Sequence, residues 1–208
     1  GYTVGEASVS GEVRELDVSW LSGSVTVELT DGDVVTLREE PQPESSDARM
    51  RWKLKDGKLT VYSQKSGLTI PTRAKQLTIG IPAGRAGKLQ KLSLDLSAAT
   101  ASLPALTLRE LELDSVSGNA ELEGIFDSVD ANTTSGSVTL TSSSLPREID
   151  VDTVSGDVTL TLPKEKHMLI PLSLRRQDPL RCSRPTGPED GNIRITSLVF
   201  SSRRRHTR

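Results

Sequence analysis

The chain has 208 residues, of which 34% are apolar, with only two each of Trp, Tyr and Phe. Basic (26) and acidic (28) side chains nearly cancel at a formal net charge of −2, so the whole chain is no electrostatic nucleic-acid binder. A core built on aromatics, a coiled coil and a collagen-like chain are excluded, and no apolar run approaches the ~18 residues of a membrane-spanning helix. Ser (26) and Thr (20) are abundant, which favours a thin β structure.

Cysteine occurs once, at Cys182, and histidine twice, at His167 and His206. All three follow Pro163, so the residues before it can assemble neither a Ser–His–Asp or Cys–His site nor a His/Cys zinc site. One cysteine forms no internal disulfide and leaves the redox compartment open. Gly1 is not a start methionine and no signal peptide is visible; the sequence is expected to begin inside a longer product, with any anchor or export signal upstream. Residues 1–163 carry 15 basic and 24 acidic side chains, whereas residues 164–208 carry 11 and 4. That reversal predicts a boundary between one domain, 1–163, and an aperiodic basic tail, 164–208.

The first predicted element is Arg14-Glu-Leu-Asp-Val-Ser-Trp-Leu-Ser-Gly-Ser-Val-Thr-Val27, with apolar residues alternating on both sides of Gly23. Alternation with period two means a strand with one buried face. Glu39 to Asp47, with two prolines and several acids, reads as a surface loop. Met50, Trp52 and Leu54 then alternate towards Asp56-Gly57, followed by Leu59 and Val61, which is a hairpin signal. Lys75-Gln-Leu-Thr-Ile-Gly-Ile-Pro82 reads as a strand with Leu77, Ile79 and Ile81 on one face.

Four further segments repeat the first. Residues 147–160 align on residues 14–27 without a gap, with eight of fourteen positions identical. Leu111–Leu122 and Val129–Leu140 are two more copies, and Leu92–Leu103 is a weaker one with Ala99 in place of the glycine. Ala99, Gly118, Gly136 and Gly156 are spaced by 19, 18 and 20 residues, a period that points to stacked coils. Seven and five residues before the marker stand Leu16/Val18, Leu92/Leu94, Leu111/Leu113, Val129/Ala131 and Ile149/Val151. Two and four after it stand Val25/Val27, Ala101/Leu103, Ala120/Leu122, Val138/Leu140 and Val158/Leu160. These are the predicted inward columns, and Ser-Gly between them is a corner. The expected fold is all-β: a single-domain β-solenoid of coils of about 18–20 residues, with an inserted β-hairpin.

Beyond Pro163 the period fails, and only Gly191–Thr196 resembles another strand. Ser201–Arg208 resembles translated adapter or vector sequence, and a frame error near Lys164 is expected. The basic run Arg203–Arg205 with His206, and Cys182, are therefore set aside from functional reasoning.

The Val-Ser-Gly-Asp-Val-Thr-Leu repeats, the strand Lys75–Pro82 and the start Trp20–Val25 resemble the bacterial putative-adhesin β-strand-repeat family, whose domain is also called toastrack. The likeness covers roughly residues 3–163. It implies a β-solenoid, no established catalytic residues, and frequent association with the cell envelope or envelope-stress systems; no cofactor is expected.

The leading candidate site is a pair of carboxylate columns. Six residues before the marker lie Asp17, Glu112, Asp130 and Asp150; four before it lie Ser19, Asp114, Asn132 and Asp152. Parallel stacking would set them about 4.8 Å apart per coil, an array that suits calcium, a basic surface, or paired-carboxylate sugar chemistry. The competing reading is a solvated face that keeps the solenoid soluble. The glycines Gly23, Gly118, Gly136 and Gly156 are structural turns, and no metal ligands are assigned. Thr26, Thr139 and Thr159 begin a threonine ladder that Ser102 and Glu121 interrupt, which argues against ice binding. The expected function is a non-enzymatic surface or envelope module presenting a polar face to an envelope or cell-surface partner, with neither nucleic acid nor a transmembrane segment. The alternatives are a carbohydrate-active enzyme on a parallel β-helix and a scaffold assembling end to end through open coil edges.

Overall fold

The computed structural model describes residues 1–67 and 73–163 and, as backbone alone, Leu172–Arg175 and Asn192–Ile195. Two short strands, β1 (Thr3–Val4) and β2 (Ala7–Val9), precede the long β3 (Glu15–Thr30). An excursion follows through β4 (Val35–Glu40), the hairpin β5 (Arg51–Lys55) and β6 (Lys58–Tyr62), and β7 (Lys75–Pro82). After a 3-10 turn at Ala83–Lys88 come β8 (Lys91–Ser102), β9 (Leu106–Ser117), β10 (Ala120–Ser135) and β11 (Val138–Ser142). The order ends with β12 (Glu148–Ser155), β13 (Val158–Pro163), β14 (Leu172–Arg175) and β15 (Asn192–Ile195).

The repeated segments stack as parallel coils in the predicted phase. On the first wall, β3, β8, β9, β10, β12 and β14 place Leu16, Leu92, Leu111, Val129, Ile149 and Leu172 in one row. On the second, Val25, Ala101, Ala120, Val138 and Val158 form another row. Parallel neighbours need a crossover between successive strands, and the remainder of each coil supplies it. Every predicted inward residue is buried, from Val18 and Leu111 at 0% exposure to Leu103 at 6%. Each such Val or Leu contributes about 1.5–3 kcal/mol of burial, and Trp20 and Phe126, each 1% exposed, are packed into the same core.

Close packing at the corner explains the repeated Ser-Gly. A Cβ on Gly118 (φ +130°) would lie 2.1 Å from the Ala99 carbonyl oxygen, so the coil below leaves no room for one. The preceding serines act as latches between coils. Ser117, Ser135 and Ser155 donate their hydroxyls to the carbonyls of Ser97, Val116 and Thr134 at 3.2, 3.3 and 3.5 Å. A third inward row, three residues before the marker, runs Trp20, Leu96, Ser115, Thr133 and Thr153. In its last three members the buried hydroxyl has no hydrogen-bond partner.

The hairpin turns at Asp56 (φ 52°) and Gly57 (φ 82°), the left-handed pair that a two-residue loop requires. Its strand β6 pairs in parallel with β3, so the hairpin extends the first wall on the N-terminal side. Strand β7 spans Lys75–Pro82 as predicted, with Leu77, Ile79 and Ile81 buried.

The expected surface loop from Glu39 needs correction. Glu39 belongs to β4 and is 0% exposed, and the exposed connection begins at Pro41. Burial of Glu39 is tolerated because the Lys75 ammonium lies 2.6 Å from its carboxylate. That ammonium also donates to the carbonyls of Ala48 and Ser63, while the Met50 N–H donates to Glu39. All three ammonium protons thus have acceptors, as a buried charge demands.

The backbone of β14 continues the first wall beside β12, and β15 runs antiparallel to β13 within the predicted segment Gly191–Thr196. The expected frame error near Lys164, the foreign end, His167, Cys182 and the Arg203–His206 run lie outside the described residues.

Candidate functional site

The outward side of the first wall carries the predicted carboxylates, because alternation forces each neighbour of an inward Leu, Val or Ile outward. One column runs Thr60, Asp17, Ser93, Glu112, Asp130 and Asp150 in consecutive register. The second runs Tyr62, Ser19, Asp95, Asp114, Asn132 and Asp152. Register therefore brings Glu112, Asp130 and Asp150 side by side, whereas Ser93 separates Asp17 from them. Asn132 stands between Asp114 and Asp152. Asp95 extends the second column and is absent from the predicted set; counting four back from Ala99 finds it.

Electrostatics divide this face in two. Towards the N-terminal coils Asp17, Glu110 and Glu112 are paired with lysines, whereas Asp95 has no ion pair among the described residues. Lys58 lies 2.8 Å from Asp17, and Lys91 lies 3.0 and 2.7 Å from Glu110 and Glu112. The hydrogen bond to Asp17 raises the Lys58 pKa above its ordinary 10.5, and that to Glu112 does the same for Lys91. Lys91, helped by the Ser93 hydroxyl at 3.0 Å, holds Glu112 below its ordinary 4.5. Neither lysine was identified from the sequence, since each acts across strands.

Towards the C-terminal coils, no described cation forms an ion pair with Asp114, Asp130, Asp150 or Asp152. The Asn132 amide donates to Asp114 and Asp130 at 3.1 Å each. Partial burial, followed by the charges of Asp150 and Asp114, pushes the Asp130 carboxyl above its ordinary 3.8. One oxygen each of Asp150 and Asp152 is covered and unpartnered. Among the described residues no group of three or more His, Cys, Asp or Glu is arranged to hold a metal ion. Chemically this is an open row of like charges that attracts cations.

Other exposed groups frame the face. Tyr2 meets Tyr62 edge to face at 5.4 Å between ring centres, and the Lys53 ammonium lies 5.9 Å from the Tyr2 ring. On the second wall the threonine ladder reads Thr26, Ser102, Glu121, Thr139 and Thr159, interrupted by Ser102 and Glu121 as predicted. No helix among the described residues is long and apolar enough to cross a membrane.

No curated protein matches the chain in sequence. Among solved structures, one described as a "putative cell adhesion protein" from Clostridium sporogenes superposes with a TM-score of 0.54 at 10% identity, over 84% of this chain and 100% of that one. A second, described as a "putative adhesin" from Bacteroides fragilis, gives a TM-score of 0.40 at 15% identity, over 84% and 92% of the two chains. At such identity the first likeness is one of fold. The sequence model of the Toastrack DUF4097 family matches residues 13–170, which contain the repeats, the Ser-Gly corners and β7, and the chain belongs to that family.

Proposed function

We propose that the protein is a non-enzymatic, adhesin-like binding module of the bacterial cell envelope or its outer surface. Its contact face is the acidic block of Asp114, Asp130, Asp150 and Asp152. One observation carries this reading: the same wall pairs Asp17, Glu110 and Glu112 with Lys58 and Lys91 at one end and leaves Asp114, Asp130, Asp150 and Asp152 without ion pairs among the described residues at the other. A merely solvated face gains nothing from crowding Asp130 against Asp150. Asp130 stands in register with Asp150, and partial burial first, then the charges of Asp150 and Asp114, raises its carboxyl above the ordinary 3.8. The partner that fits is cationic: a lysine-rich protein surface or a divalent ion bridging to an anionic one. The description of the Clostridium structure agrees with a surface role, and the envelope-stress link rests on the family resemblance.

The test compares wild type with Asp130→Asn/Asp150→Asn/Asp152→Asn for binding to an immobilised lysine-rich peptide, across salt concentrations. Screening over about 10 Å at 0.1 M salt should weaken wild-type binding, and the triple variant should bind less at every salt. Binding indifferent to both salt and substitution would move the contact face to the loops or coil ends. Polysaccharide turnover abolished by the triple variant would establish a carbohydrate-active enzyme instead.

A further inference from the structure

A second site lies inside the first coil, on the opposite side of β3 from the carboxylates. A cavity of about 260 Å³ is walled by Val13, Leu16, Val35, Leu59, Ile81 and Leu89. All are buried at 6% exposure or less except Val13, which packs partly buried against the same core. Gly11, Glu12, Arg85 and Lys88 complete the lining, and the last three are exposed, which puts them at the opening. Glu12 is already matched by Arg14 at 3.8 Å. Arg85 and Lys88, both in the last turn of the 3-10 segment Ala83–Lys88, have no side-chain partner among the described residues. The mouth therefore holds two uncommitted cations above an apolar interior.

We propose that this cavity binds a free fatty acid, with the hydrocarbon chain inside and the carboxylate held by Arg85 and Lys88. An apolar cavity of about 150 Å³ accepts benzene, with its six carbons, so this volume accommodates a chain of about ten carbons. A bilayer phospholipid brings two longer chains, which exceeds it. Apolar walls with a few convergent polar groups at the rim are the general form of small-molecule sites. A guanidinium forks onto a carboxylate with two parallel hydrogen bonds. The site shares no side chain with the acidic block, so its fate is independent of the function proposed above.

Calorimetric titration with decanoate below its micelle concentration, and with decyltrimethylammonium as the cation of equal chain length, tests the assignment. Wild type should bind decanoate saturably at one site and the ammonium at least about tenfold more weakly. Arg85→Glu/Lys88→Glu, two surface changes, should reverse that preference. Val35→Phe, which fills the cavity, should abolish decanoate binding. Should Val35→Phe fail to fold, the methyl resonances of Leu59 and Ile81 in wild type must still shift on adding decanoate. Absence of saturable decanoate binding, equal binding of the two amphiphiles, unmoved methyl signals, or binding to phospholipid vesicles without decanoate binding would each overturn the proposal.

Discussion

The indole N–H of Trp20 donates to the backbone carbonyl of Lys75 at 3.0 Å, while the Lys75 ammonium stands 5.2 Å from the centre of the same ring. One tryptophan thus holds both the strand and its charge. Gly23 lies in register with Lys75, and a Cβ there would come within 2.0 Å of the Lys75 carbonyl oxygen. Trp20, Gly23 and Lys75, drawn from two separate motifs, fasten the excursion of β4–β7 to the first coil.

Removing the ammonium should be severe. Lys75→Met leaves the Glu39 carboxylate buried without its cation, a change that costs about 3–5 kcal/mol. Adding Glu39→Gln should recover part of the loss, because the amide oxygen still accepts the Met50 N–H. Urea denaturation of both variants reads the difference; equal stabilities would mean that the lone carboxylate is not the cause.

Phase along the coil governs tolerance to charge. Val158 is 4% exposed, and Val158→Asp should cost several kcal/mol by placing an unpaired carboxylate in the lumen. Thr159→Asp, one residue on and outward, should stay within about 0.5 kcal/mol. Parallel chemical melts compare the pair.

Corner glycines should resist even a methyl group. Gly118→Ala combines a positive φ with a clash against backbone and should lose about 1–3 kcal/mol. Gly87→Ala, where nothing lies within 4 Å, should change stability by less than about 0.5 kcal/mol. Thermal unfolding separates them.

The inward hydroxyls offer a gain. Thr133 and Thr153 are 5% and 7% exposed with unpartnered hydroxyls, so Val at either position removes a desolvated polar group without changing shape. Each substitution should add about 1 kcal/mol. A loss of stability in denaturant titrations would show that the hydroxyl is satisfied in solution.

Acid should act on the first wall in two opposite ways. Asp130 has a folded pKa above its ordinary 3.8, so its ionised form opposes folding, and stability rises as pH falls through that raised value. Glu112 is depressed below 4.5, so its contribution is present above that value and is lost as pH falls through its lower folded one. Asp130→Asn should therefore stabilise near neutrality and abolish the mild-acid rise while leaving the loss at lower pH. Unfolding free energy measured across pH 3–7 (about the carboxylate range) resolves the two limbs.

The columns were legible because alternation and the spaced glycine are local signals that repeat, and each copy corrects the reading of the others. Val129, Ala131 and Ile149 took their places from that phase alone. What escaped was charge placed inward. Val35, Leu37 and Glu39 alternate, as do Lys75, Leu77 and Ile79, so both charged residues sat on the buried phase of their strands. Composition argued for a loop at Glu39, yet only tertiary pairing shows an opposite charge within reach. The same holds at the acidic face. Asp130 and Asp150 were read from spacing, whereas their contrast with the neutralised end depends on where Lys58 and Lys91 reach across strands.

The corner contacts also say how such a molecule can grow. A Cβ on Gly136 would meet the carbonyl of Gly118 at 2.1 Å, and one on Gly156 would meet that of Gly136 at the same distance. At the corner the upper and lower contacts of this middle coil therefore match, so a tandem copy inserted there would meet the same glycine contact on both sides. Each duplication of some twenty codons would lengthen the stack by about 4.8 Å and add another pair of outward positions to the wall. The number of outward positions can thus be inherited as a count of coils, altered in one genetic step without redesign of the interior.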